Sequence, residues 1–95
     1  MPAFVIYQAE LTDPQRYEEY KEPAAASLSA AGGRYIVRGG DVDVLEGEPP
    51  AGRTVVVEFP DRQTAIDWYH GAEYTEARKL REGAAIARMY VVDGV

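Results

Sequence analysis

The chain has 95 residues, 46% of them hydrophobic and 27% charged, and ten Lys and Arg against sixteen Asp and Glu give a formal net charge of -6. That length admits one hydrophobic core and so one domain over residues 1–95, while the excess of acid repels phosphate backbones and anionic bilayers and argues against nucleic-acid or membrane partners. With no cysteine and a single histidine, disulfides, thiolate metal sites and cysteine nucleophiles are excluded.

The N-terminal MPAFVIYQAE carries no basic segment ahead of an apolar one, and no apolar run approaches the roughly 18 residues of a membrane helix. The expectation is a soluble cytoplasmic protein. Ala3 to Glu10, rich in β-branched and aromatic residues, reads as the first strand. LTDP then opens a helix, capped by Asp13 with Pro14 at its first position, or by a competing Thr12/Gln15 capping box. Tyr17, Tyr20, Ala24, Leu28 and Ala31 recur at helical spacing and mark its buried stripe. Pro23 lies inside that stripe and is expected to kink or split the helix near Lys21, because proline removes a backbone donor and crowds the preceding turn.

Gly32 and Gly33 end the helix and turn the chain into a second strand, Arg34 to Arg38. Gly39 and Gly40 permit a bulge or sharp bend before VDVLEG, and GEPPAG is a loop. Arg53 to Phe59 is the strongest strand, closed by Pro60. Asp61 caps a second helix whose buried side is Ala65, Ile66, Trp68 and Tyr69 and which Gly71 can end. A short third helix spans about Glu73 to Glu82, Gly83 breaks it, and Ala85 to Val92 forms the last strand before Asp93 and Gly94.

The order βαββαβ is that of the α+β, ferredoxin-like plait, with helices on one face of an antiparallel sheet. In the third strand Val55, Val57 and Phe59 oppose Thr54, Val56 and Glu58. In the fourth, Ala87, Met89 and Val91 oppose Ile86, Tyr90 and Val92. Both faces are substantially apolar, and two helices cover only one of them. The other calls for a partner, most simply a second copy in a twofold homodimer.

GGRYIVRGG, VVVEFPDRQTAIDWYHGAEY, the R-x-G-A of Arg81 to Ala84 and the terminal Asp93-Gly94, taken in that order, resemble the family catalogued as domain of unknown function 1330. The resemblance runs nearly the whole chain. It implies a dimeric α+β barrel, in which two ferredoxin-like sheets face each other, and a superfamily that includes cofactor-free oxygenases, isomerases and haem-handling enzymes, with no activity established for the family itself. Where that family usually carries Ser-Pro before the Glu-Tyr pair, this chain has Gly71-Ala72 before Glu73-Tyr74, so any role of the serine is absent here.

Several side chains are candidates for chemistry. His70, the only histidine, is a possible acid or base at a helix end beside Tyr69; the plainer reading is an exposed residue favoured by the helix dipole. One histidine and no cysteine leave too few ligands for zinc or haem, so no metal or other cofactor is expected. Glu58 turns toward the barrel interior, where burial penalises a charged carboxylate unless a cation pairs with it. Arg34 or Arg38 can be that cation, Arg34 if the hairpin register is regular and Arg38 if the chain bends at Gly39-Gly40. Such a pair either works on a ligand or simply closes the barrel.

Tyr74, Arg78 and Arg81 share one helical stripe and can hold a carboxylate ligand, or the two arginines can be solvated and pair with acids such as Glu82. Trp68, Tyr17 and Tyr20 are core candidates first. Two functions follow. One is a metal-free enzyme acting on an organic acid or aromatic metabolite, in a pocket lined by Arg38, Glu58, Tyr69 and His70 with Arg34, Tyr74 and Arg81 as further ligand contacts. The other is a non-catalytic dimer that binds a metabolite or has a structural role.

Overall fold

A computed structural model describes residues 1–95, in the order β1 (Ala3–Leu11), α1 (Pro14–Ala30), β2 (Arg34–Arg38), β3 (Arg53–Phe59), α2 (Arg62–His70), α3 (Ala72–Lys79) and β4 (Ala85–Asp93). The four strands form one sheet in the order β2-β3-β1-β4, and every pairing is antiparallel. This is the expected ferredoxin-like arrangement. Its extents of 32 × 30 × 16 Å are those of one sheet and one layer of helices.

Strand alternation decides what goes into the core. In β1, Ala3, Val5, Tyr7 and Ala9 are buried, and in β3 so are Val55, Val57 and Phe59. Because Val5 sits opposite Val57 on one side and Val91 on the other, these residues share the inner face, against which α1, α2 and α3 lay Tyr17, Tyr20, Ala24, Leu28, Ala65, Trp68, Tyr74 and Ala77. Burial of that apolar surface is the main term favouring the fold.

Asp13 caps α1 by accepting from the Arg16 amide at 3.1 Å, so the Thr12 capping box does not form; the Thr12 hydroxyl donates instead to the Gly83 carbonyl. Asp61 caps α2 by accepting from both the amide and the hydroxyl of Thr64, each at 2.7 Å, and these bonds hold its carboxyl below the usual range. Of the two expected outcomes at Pro23, the split does not occur, since α1 is continuous from Pro14 to Ala30. Pro23 and Glu19, whose carbonyl loses its partner, are both exposed, so water can take up the freed acceptor. The third helix is shorter than expected and ends at Lys79, with turns carrying the chain to Gly83 at φ 76°.

Gly32 takes the left-handed conformation at φ 87° and the Gly33 amide returns to the Leu28 carbonyl at 2.9 Å, closing α1. The bulge expected at Gly39-Gly40 lies earlier. Tyr35 pairs with Val57 and Val37 with Val56, so Ile36 is the extra residue inside β2. The bulge reverses the alternation of RYIVR: Arg34 faces the same way as its partner Glu58, whereas Arg38 lies opposite Val55 on the inner face.

The second face of the sheet is bare. Phe4, Ile6, Val37, Val56, Tyr90 and Val92 lie along it by register, with Tyr90 56% and Val92 47% exposed. No helix is long and apolar enough to cross a membrane.

Candidate functional site

On the inner face, β1, α1 and α3 bring four phenols together. Tyr7 and Tyr17 share a hydrogen bond of 3.0 Å, Tyr20 and Tyr74 one of 2.8 Å, and all four side chains are buried. The Arg81 guanidinium lies 5.5 Å from the ring centres of both Tyr7 and Tyr20. Burial works against its charge, but the surrounding oxygens of Tyr74, Tyr7 and Tyr20 prevail and hold it protonated above its ordinary range. The reading of Arg78 and Arg81 as solvated and paired with acids is thus corrected. Arg81 is drawn under the sheet by the phenols, and Arg78 stacks 4.5 Å over the Tyr69 ring and donates to the Tyr69 hydroxyl.

Burial, first of all, also pushes the Tyr7, Tyr17, Tyr20 and Tyr35 phenols above their usual range. They are neutral at physiological pH and act as hydrogen-bonding groups rather than as bases.

A cavity of about 40 Å³ opens beside this cluster, between α1 and the β2-β3 side of the sheet, with Tyr7, Tyr17, Tyr20 and Tyr35 in its walls. Its charged lining side chains are Lys21, Arg38 and Arg53; no carboxylate lines it. Lys21 is paired with Glu18 at 2.8 Å, but neither Arg38 nor Arg53 has a carboxylate within ion-pair distance. Arg38 stacks 4.3 Å over the Tyr35 ring. The Arg53 Nε is buried with no hydrogen-bond partner, a state that costs about 1 to 3 kcal/mol unless water or a ligand supplies an acceptor.

A second cavity, of about 170 Å³, lies between α2 and β4 and is lined by Ile66, Tyr69, His70, Tyr90 and Val91, together with Val5, Trp68 and Met89. His70 is exposed at its mouth, its ring edge-on to Tyr69 at 5.2 Å. The indole of Trp68 donates to the Ser27 hydroxyl at 3.1 Å and packs 4.2 Å from the Tyr74 ring, which fixes the wall of the cavity. No three His, Asp or Glu side chains gather closely enough to hold a metal ion.

Glu58 lies on the open face and accepts from Arg34 Nε at 2.9 Å and from its terminal nitrogen at 2.7 Å. Arg34 is therefore the partner, although the register that brings it there is not regular but carries the bulge at Ile36. The four residues expected to line one pocket do not meet: Arg38 belongs to the first cavity, Tyr69 and His70 to the second, and Glu58 to the opposite side of the sheet. Tyr74 and Arg81 build the phenol cluster. Arg53, Tyr35, Ser27 and Met89 were not anticipated, although Arg53 shares the phase of Val55 and Val57, which places it on the inner face.

With the side chains of Arg34 and Glu58 74% and 26% exposed, Glu58→Gln in a lone chain is expected to cost no more than about 1 kcal/mol in urea denaturation. A loss above about 3 kcal/mol would show that the pair is desolvated, as a covered sheet face would make it.

No curated protein matches the chain in sequence. Among solved structures, a protein of unknown function from Rhodopseudomonas palustris superposes with a TM-score of 0.77 at 18% identity, covering 99% of this chain and 82% of that one. SnoaB, a cofactor-independent oxygenase from Streptomyces nogalater, gives 0.67 at 10% identity over 99% and 93%. A dimeric protein of unknown function and ferredoxin-like fold from Bacteroides fragilis gives 0.64 at 14% identity over 98% and 96%. These likenesses establish the fold. Family membership comes from the sequence: residues 2–95 match the profile described as Domain of unknown function (DUF1330), and the chain belongs to that family.

Proposed function

We propose that the chain is a small-molecule-binding protein, one domain working as a homodimer, that takes an organic anion with an aromatic or other apolar body into the cleft between α1 and the inner face of the sheet. The observation that carries this reading is electrostatic. In a chain of net charge -6, every charged side chain lining the cleft is a cation, and Arg38 and Arg53 have no acidic partner. Arg38 and Arg53 hold the carboxylate, the neutral phenols supply hydrogen bonds, and Tyr74 and Arg81 support them from behind. The cavity has room for a few waters, so an entering ligand displaces the Arg38 guanidinium from Tyr35 on the edge strand.

Binding is favoured over acid-base catalysis because no His, Asp or Glu lines this cleft. The second reading, a metal-free enzyme on an aromatic metabolite, draws on the fold shared with a cofactor-independent oxygenase and on His70 beside Tyr69 at the other cavity. In that reading His70 moves the proton, and Glu58 with Arg34 contributes from a partner's side of the sheet.

Thermal unfolding in benzoate, phenylacetate and their neutral amides tests the binding reading. At 100 times Kd a ligand stabilises by about 2.7 kcal/mol, so the acids should raise Tm by roughly 10 °C or more and the amides should not. Arg38→Gln combined with Arg53→Gln should abolish the difference. Equal responses to acid and amide would remove the anion from the proposal.

The homodimer uses the bare sheet face, whose apolar residues would otherwise stand in water. Light scattering at micromolar concentration should give twice the 10.5 kDa chain mass. Val56→Glu, placed beside Ile6 and Val37 in the register, should give the chain mass itself. A wild-type monomer would contradict this.

A further inference from the structure

The two cavities share Val5, Trp68 and Met89 in their walls. They therefore abut beneath the sheet, one opening between α1 and β2, the other between α2 and β4. Their chemistries differ. The first carries Lys21, Arg38 and Arg53, the orphaned Nε of Arg53 among them; the second, about 170 Å³, is apolar except for His70. We propose that they are the two ends of one channel for an elongated monocarboxylate, whose carboxylate is held by Arg38 and Arg53 and whose apolar tail passes Trp68 and Met89 to lie between Ile66 and Val91.

This rests on the anion-binding reading above and adds a tail site and an orientation. Met89 is the movable part of the dividing wall, since it is half-buried and its unbranched thioether changes rotamer at low cost. Trp68 is fixed by its bond to Ser27. A ligand with charges at both ends is disfavoured, because its second carboxylate would enter an apolar cavity without a cation.

Trp68 is the only tryptophan, so its fluorescence reports on the junction directly. We would titrate the full chain with butanoate, hexanoate and octanoate, with octan-1-ol and octylammonium as charge controls and benzoate as a short acid. Affinity is expected to rise about fourfold per added methylene, with octanoate bound at least tenfold more tightly than either control. Met89→Phe, which adds bulk at the junction without adding a second tryptophan, should flatten the series; Met89→Ala should steepen it. If benzoate and butanoate bind through Arg38 and Arg53 but affinity does not grow with length, the channel is wrong and the anion site stands. If octanol or octylammonium binds as well as octanoate, the orientation is wrong. If no carboxylate gives a saturable response in the wild-type chain, both proposals fall.

Discussion

Gly52→Ala is expected to destabilise the fold by at least about 3 kcal/mol, combining left-handed backbone strain with a steric clash. Gly52 has φ 72°, and a Cβ placed on it would stand 1.9 Å from the Ala9 carbonyl oxygen and 2.6 Å from the Glu10 Cα, both backbone atoms that no rotamer change can move. Gly47 supplies the control. Its φ of 79° is nearly the same, but a Cβ there meets nothing within 4 Å. Gly47→Ala should therefore cost only the conformational part, about 1 to 2 kcal/mol. Urea denaturation of the two variants separates the terms, and equal losses would show that the approach of Gly52 to β1 is not tight. Because Gly52 delivers the next residue, Arg53, to the cleft, the same substitution should also weaken carboxylate binding.

Trp68→Ala should be comparably severe, about 3 to 5 kcal/mol. Trp68 is 7% exposed, lies 4.2 Å from the Tyr74 ring and 5.5 Å from that of Phe59, and satisfies the Ser27 hydroxyl, which in turn donates to the Ala24 carbonyl. Truncation would both open a cavity and leave buried Ser27 without its donor. For a domain of this size each kcal/mol lowers Tm by roughly 4 to 8 °C, so the expected fall exceeds about 12 °C. Trp68→Phe keeps a ring against Phe59 and Tyr74 and should lose less than half as much. A Trp68→Ala loss near 1 kcal/mol would mean that the aromatic cluster does not carry the helix layer.

The element order was legible because each strand and helix has its own punctuation: Pro14 and Asp13 at one helix start, Gly32 and Gly33 at its end, Pro60 after β3. The inner and open faces of β3 and β4 followed from period-two alternation alone. The Arg34–Glu58 pair was legible to the extent of two alternatives; Arg34 is the partner, but through a bulged register rather than the regular one to which that alternative was tied.

The candidate site was less legible, for a specific physical reason. In RYIVR strict alternation puts both arginines on one face, and only the bulge at Ile36 sends Arg34 to the open face and Arg38 to the cleft. No residue in that segment announces a bulge; the glycines that do announce one, Gly39 and Gly40, lie beyond it. The phenol cluster was hidden for a different reason. Tyr7, Tyr17, Tyr20 and Tyr74 come from three elements; helical spacing marks Tyr17 and Tyr20 as core without indicating that their hydroxyls meet partners, and it sets Tyr74 on the stripe of Arg78 and Arg81, whereas the fold buries it completely. Arg81 follows them inward because a guanidinium stacked among phenol rings retains favourable electrostatics when desolvated.

The most direct test of the anion site is an NMR titration of the ¹⁵N-labelled chain with octanoate, following the Arg53 Nε–H, the Arg38 Nε–H and the Trp68 indole N–H. The Arg53 Nε is buried and without an acceptor, so a bound carboxylate should move its proton resonance downfield in a saturable way. Arg38 and Trp68 should titrate with the same midpoint, while Arg62, at the surface near Asp93, should remain where it is. If Arg53 does not respond, or if all arginines shift together without saturation, the cleft does not hold the anion.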